Sequence, residues 1–241
     1  MRLLNISYLE PEKNLALDEV ILDSVEEGRT PETLRLWESP VAFVVIGSGQ
    51  RYRQVVNHFN CLRDNIPIMR RCSAGGAVLQ GPGCLNFALA LRYDSHPEVT
   101  DLHGSYEYLL GRVVAALAKA GVCLERAGIS DLAIGGLKVS GNAQRRRRFA
   151  CLHHGTLVYN LDRVAMSRYL LEPEDRPEYR GQRTHSEFVG VLPVDAAVLR
   201  PMLQDVFAPE TKPTILTTDE EKNLENLAQT KYRSKDWIFR R

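Results

Sequence analysis

The residues able to do chemistry in this 241-residue chain fall in two stretches. Residues 69–86 read MRRCSAGGAVLQGPGCLN, with Arg70 and Arg71 ahead of the small-residue turn Ser73-Ala74-Gly75-Gly76-Ala77 and then Val78. A second turn, Gln80-Gly81-Pro82-Gly83, leads into Asn86. Backbone free of bulky side chains comes close to a ligand, and its N–H groups can cradle an anion. Arginine beside it adds a planar, permanently charged donor for phosphate or carboxylate. No Gly-Lys-Ser/Thr follows, so this is not a P-loop, and it is not the dinucleotide fingerprint. Residues 136–160, GLKVSGNAQRRRRFACLHHGTLVYN, supply a partner. Lys138 sits in a short alternating run, as on a strand, and Ser140-Gly141-Asn142 then reads as a turn before Ala143. The run from Leu152 to Tyr159, with His154, Gly155 and Thr156, reads as the second strand of a hairpin carrying Lys138 near its base.

The compound pattern RR-x-S-x-G-G-A-V, G-P-G-x-L-N, K-V-S-G-N-A-Q and H-H-G-T-L resembles the lipoate–protein ligase family. That catalytic domain is shared by lipoate and octanoate transfer enzymes and, more distantly, by biotin ligases. The resemblance runs from Asn14-Leu15-Ala16-Leu17-Asp18-Glu19 to Lys231 through Trp237. It implies an ATP-dependent ligase that activates lipoate or octanoate as an acyl-adenylate, with Mg²⁺ accompanying ATP, and transfers it to a lysine of a lipoyl acceptor domain. A glycine cleavage H-like or dehydrogenase E2-like protein is the implied partner.

Such a reaction must neutralise phosphate charge and polarise the acyl carbonyl, which positioned cations and backbone donors achieve without a nucleophile. Lys138 matches the family's catalytic lysine, a mobile point charge able to follow the reacting oxygen. Arg70 and Arg71 alternate along a strand, so one faces the acyl or phosphate pocket and the other is left for a surface ion pair. Ser73, Gly75, Gly76, Ala77 and Val78 are expected to wall the ligand, with Gly81, Gly83 and Asn86 shaping the turn. Asp131 resembles the acidic position ahead of the lysine strand, with a solvated turn aspartate as the rival reading. Ser140, Gly141 and Ala143 belong to the lysine motif. His154, Gly155 and Thr156 match a strand beside the acyl chain, with a satisfied core histidine as the bland reading of His154.

Family members that take the acyl group from a carrier protein use a cysteine thioester. No cysteine follows Cys151, and Cys123, eight residues before Asp131, is the candidate that remains. Flanked by Val122 and Leu124, it reads as a buried strand residue, where thiols are inert. The ligase reading therefore leads and a Cys123 transferase is the alternative. A non-catalytic module that binds lipoylated partners is the alternative of another class. The larger bacterial ligases carry a C-terminal accessory domain that is not matched here, which raises a separate accessory subunit. The glycine-arginine-rich loop of biotin ligases is not matched either. Arg145-Arg146-Arg147-Arg148 reads as a solvated, partly disordered hairpin tip or as a dock for an acidic acceptor domain.

The positioning elements follow from periodicity. A helix is expected over Leu15–Val25 with Asn14 as cap, strands over Leu34–Trp37 and Val41–Ile46, a short helix over Val55–Leu62, and a strand entering at Ile66–Met69. Leu85–Tyr93 is a strong strand, Tyr106–Ala120 an amphipathic helix, Glu172–Arg183 a surface loop, and Val194–Phe207 and Asp219–Lys231 helices. Helices and strands mix without regular βαβ alternation, so the fold class is α+β: mixed, largely antiparallel sheets flanked by helices. One domain is expected over residues 1–241, with 208–241 a C-terminal extended segment and helix. Hydrophobic content of 44% suits one sizeable core, and a net charge of +1 argues against nucleic-acid or membrane partners. Five cysteines without C-x-x-C spacing, no leader and no zinc-ligand spacing give a reduced, cytoplasmic compartment and no protein-held metal.

Overall fold

The computed structural model describes residues 1–241. Strand β1 (Arg2–Leu4) and helix α1 (Pro11–Glu26) precede β2 (Thr33–Trp37) and β3 (Phe43–Ile46). Two short helices, α2 (Tyr52–Val55) and α3 (His58–Arg63), lead to β4 (Ile68–Arg70), β5 (Val78–Gln80) and β6 (Cys84–Arg92). Helix α4 (Leu102–Lys119) is followed by β7 (Glu125–Ala127), β8 (Asp131–Ile134), β9 (Leu137–Arg146) and β10 (Ala150–Val158). The remainder is helical: α5 (Arg163–Tyr169), α6 (His185–Phe188), α7 (Ala196–Phe207), α8 (Thr218–Leu227) and α9 (Lys235–Ile238).

Seven strands form the main sheet in the order β1-β2-β6-β10-β9-β8-β7, and β4-β3-β5 form a smaller one. The β1–β2 and β3–β4 pairs are parallel and every other pair is antiparallel. The class is therefore α+β with mixed, largely antiparallel sheets. Strand side chains alternate between faces, and β6 shows the consequence. Leu85, Phe87, Leu89 and Leu91 face the cluster that α4 and α7 complete, while Ala88 and Ala90 face α1. The alanines let α1 lie close against the sheet, and α8 covers its outer side, so even polar Asn14, Asp18 and Glu19 of α1 are buried. A third cluster fills the space between the small sheet and α3, α5, α6 and α9.

Local differences from the sequence reading have physical causes. Helix α1 begins at Pro11, a residue pre-set for the first turn, and Asn14 is not its cap: its side chain instead pins Tyr8 through both backbone groups. The expected single helix near Val55 is broken because Val56 leaves helical geometry to bridge Leu170. Ser140-Gly141-Asn142 is not a turn; β9 runs through it and the chain reverses at Arg147–Phe149. The turn-forming residue types are used for packing instead. Asn142 donates to the Ser130 carbonyl (2.8 Å), and a Cβ on Gly155 would lie 1.8 Å from the Asn142 side-chain oxygen. Val122–Leu124 is irregular rather than a strand.

His153 and His154 point to opposite faces of β10. His153 is fully buried against Phe87 and Tyr106, and burial, with His154 adjacent, depresses its pKa to about 3. An unfolded histidine takes a proton near 6.5. The stability His153 contributes is therefore complete above that pH and falls as the pH drops toward 3, by about 2 kcal/mol at pH 5. Urea unfolding at pH 7 and pH 5 should show a loss smaller by about that amount in His153→Phe than in the wild type.

Candidate functional site

Arg70 ends β4, Arg71 follows it, and both are buried, so the surface ion pair expected for one of them does not exist. Arg70 is a brace. Its Nε donates to the Ile238 carbonyl (2.9 Å), and its Nη1 donates to the carbonyls of Gly47 (2.8 Å) and Gln50 (2.8 Å). The Gly47–Gln50 turn is thereby tied to the C-terminal segment. Arg71 turns into the following loop, donating to Ser73 Oγ (3.0 Å) and the Ala74 carbonyl (2.7 Å). It has no carboxylate partner, and burial holds its pKa down to about 10. A buried guanidinium without a counter-ion is costly unless an anion reaches it.

The loop beside it leaves its backbone donors free. The amides of Ala74, Gly75 and Gly76 are exposed and donate to no protein acceptor. Gly75 takes a φ of +100°, where a Cβ would also meet the Arg71 Nη2 at 2.8 Å. Gly47 permits the close approach behind the loop, since a Cβ there would sit 2.1 Å from the Gly75 oxygen. Ala77 and Val78 lead back into β5, where Val78 pairs with Val45. The second turn is fixed as tightly: Gly83 has a φ of +89°, and a Cβ would lie 1.8 Å from the Asn160 oxygen. Gly81 packs against Ala42. Gln80, Asn86 and Thr156 close a triangle of side-chain hydrogen bonds at 2.7–2.9 Å, tying the small sheet to β6 and β10.

Lys138 faces this loop across β9. Its ammonium lies 2.8 Å from Asp131 Oδ1, and Asp131 Oδ2 accepts from Tyr179 Oη (2.8 Å). Burial and the Asp131 carboxylate raise the Tyr179 phenol far above its ordinary value. The lysine stem crosses Gly141, where a Cβ would come within 2.9 Å of it. Two residues on, about 7 Å along the strand, Ala143 lies against Gly75. Lys138, Asp131, Arg71 and the Ser73–Ala77 loop thus meet on one face of β9. Ser140 points away and is fully buried, receiving a bond from Asn142.

His154 belongs to the same face, opposite Ala143 in register. Its Nε2 lies 2.6 Å from Ser73 Oγ and its Nδ1 lies 3.1 Å from Asp18 Oδ2. Arg35, fully buried, donates to Asp18 Oδ1 (2.6 Å) and stacks on Trp37. Sequence reasoning missed Asp18 and Arg35. An Asp in a helix facing an Arg in an otherwise apolar strand was the available signal. It also treated Arg145 only as one of a run of four arginines. Arg145 shares the His154 face, two residues along from Ala143, and its buried Nε has no partner. Arg146 bonds the Val99 carbonyl and Arg147 bonds Asp23 (2.8 Å), so those two are engaged within the protein rather than solvated at a free tip. Tyr179 and buried Arg180 likewise make the Glu172–Arg183 segment more than a surface loop.

Burial pushes four thiols up: Cys61 and Cys151 to about 11, Cys72 and Cys84 to about 12. Cys123 is exposed on the irregular segment after α4, not buried in a strand as expected. No group of three His, Cys, Asp or Glu residues could hold a metal ion, and no helix is long and apolar enough to cross a membrane.

The loop of exposed backbone and the lysine thus lie on one strand face of a mixed α+β fold. The family model described as the lipoyl protein ligase A/B catalytic domain matches residues 10–210, and the chain belongs to that family. Octanoyltransferase LipM of Exiguobacterium sp. is 25% identical, covering 99% of this chain and 98% of that protein. Lipoate–protein ligase 1 of Staphylococcus aureus is 26% identical, covering 98% of this chain and 72% of that protein. A bipartite lipoate protein ligase from Thermoplasma acidophilum shares the fold with a TM-score of 0.86 at 24% identity, covering 99% of this chain and 95% of that one.

Proposed function

We propose that the protein is an ATP-dependent lipoate–protein ligase. It forms an acyl-adenylate from lipoate or octanoate, releases pyrophosphate, and passes the acyl group to the lysine of a lipoyl acceptor domain. The observation that carries this reading is the juxtaposition on one face of β9. The side chain of Lys138, paired with Asp131, reaches over Gly141, about 7 Å along the strand from Ala143, which lies against a loop of free amides backed by buried Arg71. Cations and amides of this kind stabilise a developing oxyanion and a phosphate without a protein nucleophile. Lys138 is assigned the acyl oxygen and the α-phosphate, Arg71 and the Ser73–Ala77 amides the anion, and Asp131 the approach of the acceptor amine. Mg²⁺ would arrive on the triphosphate, because Asp131 is already engaged by Lys138 and Tyr179 and no carboxylate cluster offers a cage. The chain is taken to act as one catalytic domain in a reducing, cytoplasmic setting, which its free cysteines suit. The bipartite organisation of the Thermoplasma ligase supports testing a separate accessory subunit for adenylation.

Lipoate-dependent release of pyrophosphate from ATP tests the adenylation half. Its absence, with or without accessory subunit, would remove the ATP-dependent reading. A second reading has its own support: the match to octanoyltransferase LipM covers 98% of that protein. That route needs a thiol that leaves as a thiolate, and exposed Cys123 is the remaining candidate. Cys123→Ser is expected to keep acyl transfer within about twofold of wild type, whereas a thioester route would lose at least about a hundredfold. A steady-state acceptor-modification assay decides between them.

A further inference from the structure

Asp18 and Ser73 are buried and His154 is half-buried between them, and the side-chain hydrogen bonds that join the three have no role assigned above. Its hydrogen-bond directions can be worked out. A carboxylate accepts only, and Arg35 occupies the other oxygen of Asp18, so His154 Nδ1 carries a hydrogen toward Asp18 Oδ2. With neutral imidazole, Nε2 is then an acceptor, and Ser73 must donate its hydroxyl hydrogen to it across 2.6 Å. Arg71 Nε donates to the same Ser73 oxygen. In this state Ser73 offers no donor to the loop that it begins.

We propose that an anion bound in the Ser73–Ala77 loop turns the Ser73 hydroxyl toward itself and that His154 takes up one proton in response. Once the hydroxyl donates to the ligand, Ser73 Oγ and an unprotonated Nε2 would face each other as two acceptors. Protonated Nε2 removes that conflict by donating to Oγ, and Asp18, neutralised in part by Arg35, receives the new charge. His154 is thus a positioning residue: it touches no reacting atom and sets the donor direction of one that does. The proton leaves again when the anion leaves.

The charged groups around His154 fit this reading. Helix α1 presents Asp18 and Glu19, the latter held by Lys231 and Tyr232. Strand β2 presents Arg35, the loop after β4 presents Arg71, and β9 presents Arg145 on the same face. His153 lies on the opposite face of β10, neutral at working pH. The ligand being the acyl carboxylate or the phosphate of its adenylate rests on the proposed function; the coupling itself needs only an anion in the loop.

Calorimetric titration of the protein with lipoate, and separately with inorganic pyrophosphate, in two buffers of different ionisation enthalpy, counts protons taken up per anion bound. Wild type should take up close to one proton at pH 7.5. His154→Gln cannot take up a proton, and with its amide NH2 directed to Asp18 its oxygen keeps accepting from Ser73, so it should bind about tenfold more weakly with uptake near zero. Nitrogen NMR of the free protein should show His154 neutral with its hydrogen on Nδ1. Binding without buffer dependence, equal uptake in His154→Gln, or a doubly protonated His154 in the free protein would overturn the coupling. Uptake with pyrophosphate but no binding of lipoate would support the coupling and sink the lipoate assignment. Failure to bind either anion would overturn both.

Discussion

Lys138→Ala is expected to lower acyl transfer by about a thousandfold or more, roughly 4 kcal/mol of transition-state stabilisation, while leaving the unfolding midpoint almost unmoved. The two effects separate because the lysine is partly exposed. Its side chain is 28% accessible and its ion pair with Asp131 is wet. A pair of that kind contributes about 0–1 kcal/mol to folding. The same ammonium aimed at a developing oxyanion in a closed site acts against a much lower dielectric and is worth several times more. Arginine should not rescue the variant. The lysine stem passes over Gly141 at a distance that leaves no room for a Cβ, and a planar guanidinium is broader than an ammonium. Single-turnover acceptor modification and thermal unfolding, run on the same preparation, check both halves. Full activity in Lys138→Ala would remove the central residue of the mechanism.

Arg35→Ala is expected to be the most damaging single change to stability, costing about 3–5 kcal/mol. Arg35 has no exposed surface, and burial lowers its pKa against the pull of Asp18. Its guanidinium serves Asp18 Oδ1 (2.6 Å), the Asn14 carbonyl (2.7 Å), Asn14 Oδ1 (3.0 Å) and the Ile6 carbonyl (3.0 Å). Removal takes the guanidinium donors from Asp18, which keeps only His154, and from several oxygens between α1 and the sheet, leaving much of their desolvation uncompensated. Adding Asp18→Asn should recover part of the loss, because the buried charge goes with it. For a chain of this length the single variant should melt about 10 °C lower, and urea unfolding gives the free energy directly. A loss below about 1 kcal/mol would mean that water enters and solvates Asp18.

What could be read in advance depended on whether a residue's type announced its partner. The alternation of β6 and the periodicity of α4 are carried locally, and the sequence reading placed both elements. Lys138 stood out because its flanks read as a strand in a pattern of several matched motifs. Ser140-Gly141-Asn142 misled because turn-forming residues are also those that let a neighbouring side chain cross a strand, and only the paired strand shows which use applies. The Cys123 environment misled similarly: Val122 and Leu124 turn into the core, and the cysteine between them is left exposed. Arg70 and Arg71 look alike in sequence, yet one braces backbone carbonyls and the other faces the loop, a distinction set by strand parity and the C-terminal segment. The Asp18–His154–Ser73 chain joins residues 136 and 81 positions apart, and no local pattern carries such a contact.

The measurement that bears most directly on the central claim is the intact mass of a lipoyl acceptor domain after incubation with this protein, lipoate, ATP and Mg²⁺. Parallel reactions omit ATP or replace lipoate and ATP with octanoyl carrier protein. A single lipoyl adduct is expected that forms only with ATP and disappears with Lys138→Ala. An adduct that forms from the carrier protein alone, needs no ATP and is lost in Cys123→Ser would contradict the ligase reading.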